Sequence, residues 1–214
     1  MHRWYKGGMT NIAYNCLDRH VLAGDGENVC FYEDSVYTGK KITWTYQQVM
    51  EQSGKVATVL KEKFQIGVGD VVVIYMPMII ESAFAMLACA RLGATHSVVF
   101  GGFAPKELAN RIDDCSPKLI ITCSAGIEPN KIIKYAPIIE EALNLCTKDS
   151  NAKKIPRLIK QRNELEGTLF ESNIDATKYH DYDELVTATT EVAECVPVPS
   201  ENPLYILYTS GTTG

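Results

Sequence analysis

Three stretches of the chain are almost entirely apolar, and a segment with helical character follows each of them. The stretches cover residues 71–76, 96–100 and 118–123. A strand that is apolar on both faces is typical of a parallel sheet covered on both sides. The helical segments are predicted over residues 79–92, from Pro105, and from Pro137 after a loop. This alternation predicts an α/β fold with a doubly wound, mainly parallel sheet and flanking helices.

The chain before these stretches predicts a β-hairpin and an amphipathic helix. Residues 29–34 and 41–46 have the composition of two strands joined by a long loop. Thr45 and Gln48 have the spacing of a capping box, and apolar residues then recur at helical intervals, so we predict a helix over about 46–63.

The alternation is interrupted over residues 147–201. Five basic residues fall within 153–162, and acidic residues then dominate to Glu184. The interpretation favoured is a polar, solvated surface insertion; a basic membrane-surface patch is the alternative, disfavoured because Pro156 breaks any helix there. Residues 204–209 are again apolar and are predicted as a fourth buried strand.

Charge and cysteine usage narrow the class of protein. The formal net charge is −5, so we expect no nucleic-acid partner, because phosphate backbones require clustered positive charge. None of the seven cysteines has C-x-x-C spacing. Buried free thiols are therefore expected rather than a zinc site. No membrane span and no secretory signal is predicted, and His96 is expected to be a hydrogen-bonded core histidine.

The last six residues have the composition of a phosphate-binding loop. They combine four hydroxyl side chains with two glycines, at the end of a predicted strand: Thr209, Ser210, Gly211, Thr212, Thr213 and Gly214. Hydroxyls and exposed backbone N–H groups bind phosphate oxygens, and open α/β sheets bind ligands at the carboxyl ends of their strands. A simple glycine- and threonine-rich turn is the alternative, because neither common phosphate fingerprint is present.

The segment YTSGTTG resembles the phosphate-binding loop of the adenylate-forming enzymes, the superfamily of acyl-CoA synthetases, luciferases and peptide-synthetase adenylation domains. Its short-chain branch, the acetate–CoA and propionate–CoA ligases, is resembled by further segments: residues 14–20, 74–79, 88–113 and 126–129. YTSGTTG and GIEP are closer to the propionate type. The resemblance implies that residues 1–24 end an N-terminal extension and that 25–214 begin the ligase domain.

The implied activity joins a short-chain carboxylic acid, propionate or acetate, to coenzyme A. The carboxylate attacks the α-phosphate of ATP, supplied with Mg²⁺, to give an acyl-adenylate and pyrophosphate. The thiol of coenzyme A then displaces AMP to give the acyl-CoA thioester. The loop Thr209 to Gly214 would hold the β- and γ-phosphates.

The resemblance also implies contacts with coenzyme A. Gly101 and Gly102 would lie beside its pantetheine arm, or would serve only the geometry of a strand-to-helix turn. A second loop would contact its nucleotide, or would be only a solvated connection: Glu128, Pro129, Asn130 and Lys131. Arginine is frequent in the family at two of these positions, so Glu128 is a departure that weakens this assignment.

The residues that carry the family's catalysis follow the phosphate loop. We therefore predict no catalytic residue and no metal ligand within these 214 residues, and interpret the chain as a fragment. The alternative is a non-catalytic truncated protein that binds nucleotide or a partner. The resemblance implies the mitochondrial matrix, with the cytoplasm as alternative, although no targeting peptide is visible. The sequence does not predict an oligomeric state.

Overall fold

The computed structural model describes residues 5–128, 131–148, 151–165 and 177–209. In chain order its strands are β1 (Met9–Thr10), β2 (Val29–Asp34), β3 (Lys41–Thr45), β4 (Val71–Met76), β5 (Thr95–Phe100), β6 (Leu119–Cys123), β7 (Ala125–Glu128), β8 (Lys131–Lys134), β9 (Arg157–Lys160), β10 (Tyr179–Asp181) and β11 (Val198–Pro199). The α-helices are α1 (Tyr46–Phe64), α2 (Ile80–Arg91), α3 (Pro105–Cys115), α4 (Tyr135–Leu145) and α5 (Tyr182–Ala188). None of the described helices is long and apolar enough to cross a membrane.

A five-stranded sheet in the order β10-β9-β6-β4-β5 forms the centre, and every neighbouring pair is parallel. The chain runs from β4 outward to β5 and then returns past β4 to β6. Because such crossovers are right-handed, α2 and α3 cover opposite faces, with α1 packed against α2 and α4 against α3. The doubly wound sheet is confirmed, and its strand order reverses between β4 and β6.

The core and the N-terminal hairpin follow the hydrophobic pattern. The central strands β4 and β6 are buried on both faces. β2 and β3 form the predicted antiparallel hairpin. At the start of α1, Thr45 Oγ1 accepts from the backbone N–H of Gln48, whose side chain accepts from the Thr45 N–H, so the capping box is confirmed.

The prediction of a loop up to a helix beginning at Pro137 is wrong. Residues Ala125–Glu128 and Lys131–Lys134 pair antiparallel as β7 and β8, and α4 begins at Tyr135. The backbone N–H of Tyr135 donates to Ser124 O at 3.1 Å, which closes the base of this small hairpin. Four-residue strands carry too few residues for a clear period, so the sequence pattern does not distinguish them from a loop.

The interpretation of residues 147–201 as solvated surface is wrong for β9, which is a buried strand of the central sheet. The Arg157 side chain is only 1% exposed, and its guanidinium pairs with Glu140 at 2.9 Å. Lys160 Nζ lies 2.7 Å from Asp183 and 3.2 Å from Glu81. Basic residues are tolerated inside when paired, and these partners lie on other elements, so local composition does not reveal them.

Residues 204–209 do not form the predicted buried strand. A single parallel bridge joins Tyr205 to His96 at the start of the edge strand β5. Tyr205 is 56% exposed and Leu207 is 69% exposed. In the part of the chain that the structure describes, no element covers the outer face of this segment. Tyr205 and Leu207 consequently face outward, whereas Leu204, Ile206 and Tyr208 are half-buried.

All seven cysteines are free, as the sequence predicts, but the expectation that they are buried holds only for Cys89 and Cys123, and Cys16 is exposed. Burial raises the pKa of the Cys89 thiol to about 12, although a backbone hydrogen bond acts in the opposite direction. Such a thiol stays protonated at neutral pH and behaves as a small apolar side chain.

Candidate functional site

A cavity of about 230 Å³ opens outside the carboxyl ends of β4, β5 and β6, where the strand order reverses. Ligands of open α/β sheets bind at this position. Five separate parts of the chain line it. They include Ser35 and Tyr37 between β2 and β3, Ile79 after β4, Gly101 and Gly102 after β5, Gly126, Glu128 and Tyr135 around the β7–β8 hairpin, and Arg162 after β9. The structure thus brings together two of the segments assigned to coenzyme A.

Two glycines of this cavity are required by the packing of one tyrosine. A Cβ atom on Gly101 would overlap with Tyr135 Oη, and a Cβ atom on Gly126 would lie 2.5 Å from the same oxygen. Neither glycine has a positive φ. Glycine is therefore needed at Gly101 for close approach and not for an unusual turn conformation. On Gly102, a Cβ atom would lie 2.6 Å from the Phe100 ring.

Tyr75, on β4, holds the loop that contains these glycines. Its hydroxyl is 3.0 Å from both Gly101 O and Phe103 O, so one donor is shared between two carbonyls. The rings of Tyr75 and Tyr135 lie 4.9 Å apart. Burial, with a smaller contribution from Cys123, raises the pKa of Tyr75 to about 12. Burial likewise raises the pKa of Tyr135, so both phenols keep their protons at neutral pH.

The wall of the cavity includes Arg162, which the sequence analysis did not identify. It is 6% exposed, its backbone N–H donates to Ser124 Oγ at 2.9 Å, and its Nη1 lies 3.4 Å from Ala125 O. Its Nε donates to Glu164 at 2.6 Å. Arg162 thus fixes the start of β7. It lies within the segment 147–201 that the sequence analysis interprets as solvated, and only the sheet topology brings it to this cavity.

A larger cavity of about 470 Å³ lies on the other side of Arg162. The loop between β2 and β3 and the start of α2 form its walls, together with Lys160 and Glu164. Burial raises the pKa of Glu164, but hydrogen bonds from its own backbone and from Arg162 outweigh this and hold that pKa below its usual value.

Of the four residues 128–131 that were predicted to contact coenzyme A, Glu128 alone among the described ones lines the cavity. Lys131 is largely exposed and pairs with Glu128 across 3.7 Å, at the outer end of the hairpin. It is not one of the residues that line the cavity. Pro129 and Asn130 lie outside the described residues. Glu128 therefore belongs to the cavity wall, whereas Lys131 stands beside its mouth.

The predicted phosphate loop is described only at its first residue. Thr209 is exposed, and residues 210–214 lie outside the described part of the chain. The approach to it is fixed at Tyr208, whose hydroxyl donates to Asp114 at 2.6 Å. The guanidinium of Arg111 stacks on the rings of Phe103 and Tyr208, 4.6 and 4.8 Å from their centroids. The structure places Thr209 on the α3 side of the sheet edge and not in the cavity.

His96 is buried as expected, but the expectation that it is fully hydrogen bonded is wrong, because its Nδ1 has no partner among the described residues. Burial lowers the pKa of His96 to about 4. The described residues contain no group of three or more His, Cys, Asp or Glu side chains that could hold a metal ion.

Comparison with known proteins gives one family. The family described as AMP-binding enzyme matches residues 19–214. The mitochondrial acyl-CoA synthetase short-chain family member 3 of Homo sapiens is 48% identical over 212 residues, which are 99% of this chain and 29% of that protein. The acetyl-coenzyme A synthetase of Mesorhizobium japonicum is 40% identical over 215 residues, 99% of this chain and 31% of that protein.

A solved structure with a similar fold is the acetoacetyl-CoA synthetase from Streptomyces lividans. It has a TM-score of 0.80 at 21% identity and covers 99% of this chain, which corresponds to 30% of that chain. At this identity the likeness shows the fold alone. The chain spans less than a third of the length of each of these relatives.

Proposed function

The chain belongs to the AMP-binding enzyme family, and we propose that it forms part of a short-chain acyl-coenzyme A ligase. The resemblance seen in the sequence is thereby confirmed at the level of the family. The names of the relatives, acetyl-CoA and acyl-CoA synthetases, support the reaction class. In this proposal ATP activates a short-chain acid as an acyl-adenylate, and coenzyme A then takes up the acyl group.

One observation carries the proposal. Residues 101–102 and the β7–β8 hairpin, assigned to coenzyme A from separate parts of the sequence, meet at a single cavity at the switch point of the sheet. Glycines and apolar side chains form much of the wall of this cavity, and such a surface suits an uncharged arm such as pantetheine. Lys131, at the mouth, is within reach of solvent and suits a phosphate of the nucleotide.

The adenylation half of the reaction is assigned to Thr209 and the loop that follows it. That loop would supply hydroxyl and backbone donors where charge develops on the β- and γ-phosphates. Mg²⁺ is proposed only as the companion of ATP, and none of the described residues is assigned to it. The catalytic residues are proposed to belong to the part of such ligases that this chain does not match.

Propionate is the proposed acid, with acetate as the second choice, because YTSGTTG and GIEP are closer to the propionate-type pattern.

The proposed domain division stays at residue 24, with 25–214 as the first part of the ligase domain. A mitochondrial location is proposed because the human relative is named as a mitochondrial protein. Expression with a C-terminal fluorescent tag tests it, and tagged protein confined to the cytosol would contradict it.

A chimaera tests the proposed reaction. The matching 212 residues of the human relative are replaced by this chain, and thioester formation is measured with propionate, acetate, ATP and coenzyme A. We expect activity that depends on both ATP and coenzyme A. In the chimaera, Gly211→Val should abolish acid-dependent pyrophosphate exchange because a side chain displaces phosphate from the backbone N–H groups. Thr212→Ser, which keeps the hydroxyl, is the matched control. A folded but inactive chimaera would favour the non-catalytic alternative.

A further inference from the structure

We propose that the hydroxyl of Tyr135 is a ligand-binding group, which donates a hydrogen bond to an amide carbonyl of the pantetheine arm in the switch-point cavity. The proposal rests on the proposed function, and it adds a residue that neither the motifs nor the resemblance identified. Tyr135 stands at the first position of α4, directly after the β7–β8 hairpin.

The hydroxyl of Tyr135 is placed for a ligand and not for a protein partner. The residue is 3% exposed and lines the cavity. Among the described residues no group is hydrogen bonded to Oη, whereas the neighbouring Tyr75 hydroxyl has two carbonyl acceptors. Oη is also not one of the fully buried side-chain atoms that lack a partner, so it opens on the cavity, where a water or a ligand can accept its hydrogen bond.

The glycines on both sides of Oη support this assignment. Gly101 and Gly126 leave no Cβ atoms around the oxygen, and either Cβ would collide with it. The backbone of two segments is therefore shaped around this one hydroxyl. A phenylalanine would satisfy the same packing without leaving an unpaired oxygen, so packing alone does not explain a tyrosine here.

The character of the cavity selects the class of ligand group. Its other walls combine apolar side chains, among them Ile79, Phe100, Ile127 and Ile133, with the polar side chains of Ser35, Tyr37, Glu128 and Arg162. The carboxylate of Glu128 disfavours a phosphate at this depth, and the Nε of Arg162 is already bonded to Glu164. A neutral carbonyl oxygen beside alkyl groups suits these walls. The phenol is a donor at neutral pH because burial raises its pKa.

Calorimetric titration of the chain itself with three ligands tests the proposal. The ligands are coenzyme A, pantetheine and adenosine 3′,5′-bisphosphate, which is the nucleotide half without the arm. Tyr135→Phe should raise the Kd of coenzyme A and of pantetheine about threefold to tenfold, the effect of one neutral hydrogen bond, and should leave the bisphosphate unchanged. Tyr182→Phe, at an equally buried tyrosine that does not line the cavity, should change none of the three.

The outcomes separate this inference from the proposed function. Unchanged Kd values for coenzyme A and pantetheine in Tyr135→Phe, or an equal loss for the bisphosphate, would overturn the inference and leave the proposed function intact. No binding of coenzyme A by the chain would overturn both. Should Tyr135→Phe unfold the chain, tyrosine ¹³Cζ NMR of the unsubstituted protein decides. The Tyr135 signal should shift with pantetheine and not with the bisphosphate, and an unmoved signal would contradict the proposal.

Discussion

The switch-point cavity and the edge segment 204–209 differ in how they are attached to the sheet. Residues from five parts of the chain enclose the cavity, and these parts are held together by hydrogen bonds of Tyr75 and Arg162 and by the packing of Tyr135 against Gly101 and Gly126. The edge segment joins the sheet through one bridge at His96 and contacts α3 through Tyr208. The stronger sequence motif thus follows the weaker attachment. A clear sequence motif therefore does not indicate how firmly the segment before it is held to the sheet.

The largest expected effect is a loss of stability in acid, which originates at His96 on the sheet edge and not at the cavity. Burial depresses the His96 pKa from 6.5 to about 4, so the unfolded chain binds a proton that the folded chain refuses. Stability is fully present above pH 6.5 and is lost as the pH falls toward 4, by up to about 3 kcal/mol. Urea unfolding of the chain at several pH values, compared with His96→Gln, isolates this contribution. Equal pH dependence in both proteins would contradict it.

A methyl group in the cavity wall should have the next largest effect. Gly101→Ala forces Tyr135 to move, and we expect a loss of about 2 kcal/mol in the free energy of unfolding, together with weaker coenzyme A binding. Gly67→Ala is the control, because a Cβ atom there meets nothing within 4 Å and its φ is not positive. Denaturant titration measures both variants, and similar midpoints would show that the wall is not tightly packed.

Replacing one arginine in each region compares the cavity with the edge segment directly. Arg162→Ala removes the side-chain contacts with Ala125 O and Glu164 but keeps the backbone bond to Ser124, and we expect a loss of about 1–2 kcal/mol of stability and a higher Kd for coenzyme A. Arg111→Ala removes the stacking on Tyr208 at the edge, with a loss of about 1 kcal/mol and no change in that Kd. If Arg111→Ala weakened coenzyme A binding as much as Arg162→Ala, the two regions would not be separate.

At the mouth of the cavity the expected effects are smaller. Lys131→Ala should raise the Kd of coenzyme A about twofold to fivefold, since an exposed charge pair contributes about 1 kcal/mol or less. Glu128→Arg should lower that Kd, because it replaces the carboxylate that now pairs with Lys131. Both effects should shrink as salt is added. Titration at two salt concentrations checks them, and salt-independent effects would refute a phosphate contact.

Leu207→Ser should have the smallest effect, within about 0.5 kcal/mol, because this side chain is already in solvent. Leu119→Ser, in the buried strand β6, is the matched variant and should be strongly destabilising. Thermal unfolding distinguishes the two. A large loss from Leu207→Ser would restore the sequence prediction of a buried strand over residues 204–209.

Local sequence patterns predicted the central strands and helices. They missed the elements that depend on contacts between residues far apart in the chain. β4 and β6 are recognisable because they are apolar on both faces, and α1 because Thr45 and Gln48 cap it. β9 is not, since its buried Arg157 depends on Glu140, which lies on α4. At the site, Gly101 and Gly102 were predicted, but Tyr135 and Arg162 reach the cavity only through the topology of the sheet.

A crystal structure of the chain with coenzyme A tests the central claim most directly. The account predicts the pantetheine arm between Gly101 and Gly126 in the switch-point cavity, with a carbonyl oxygen within hydrogen-bond distance of Tyr135 Oη. The nucleotide should lie outside the mouth, beside Lys131. Coenzyme A bound elsewhere on the chain, with this cavity empty, would contradict the account.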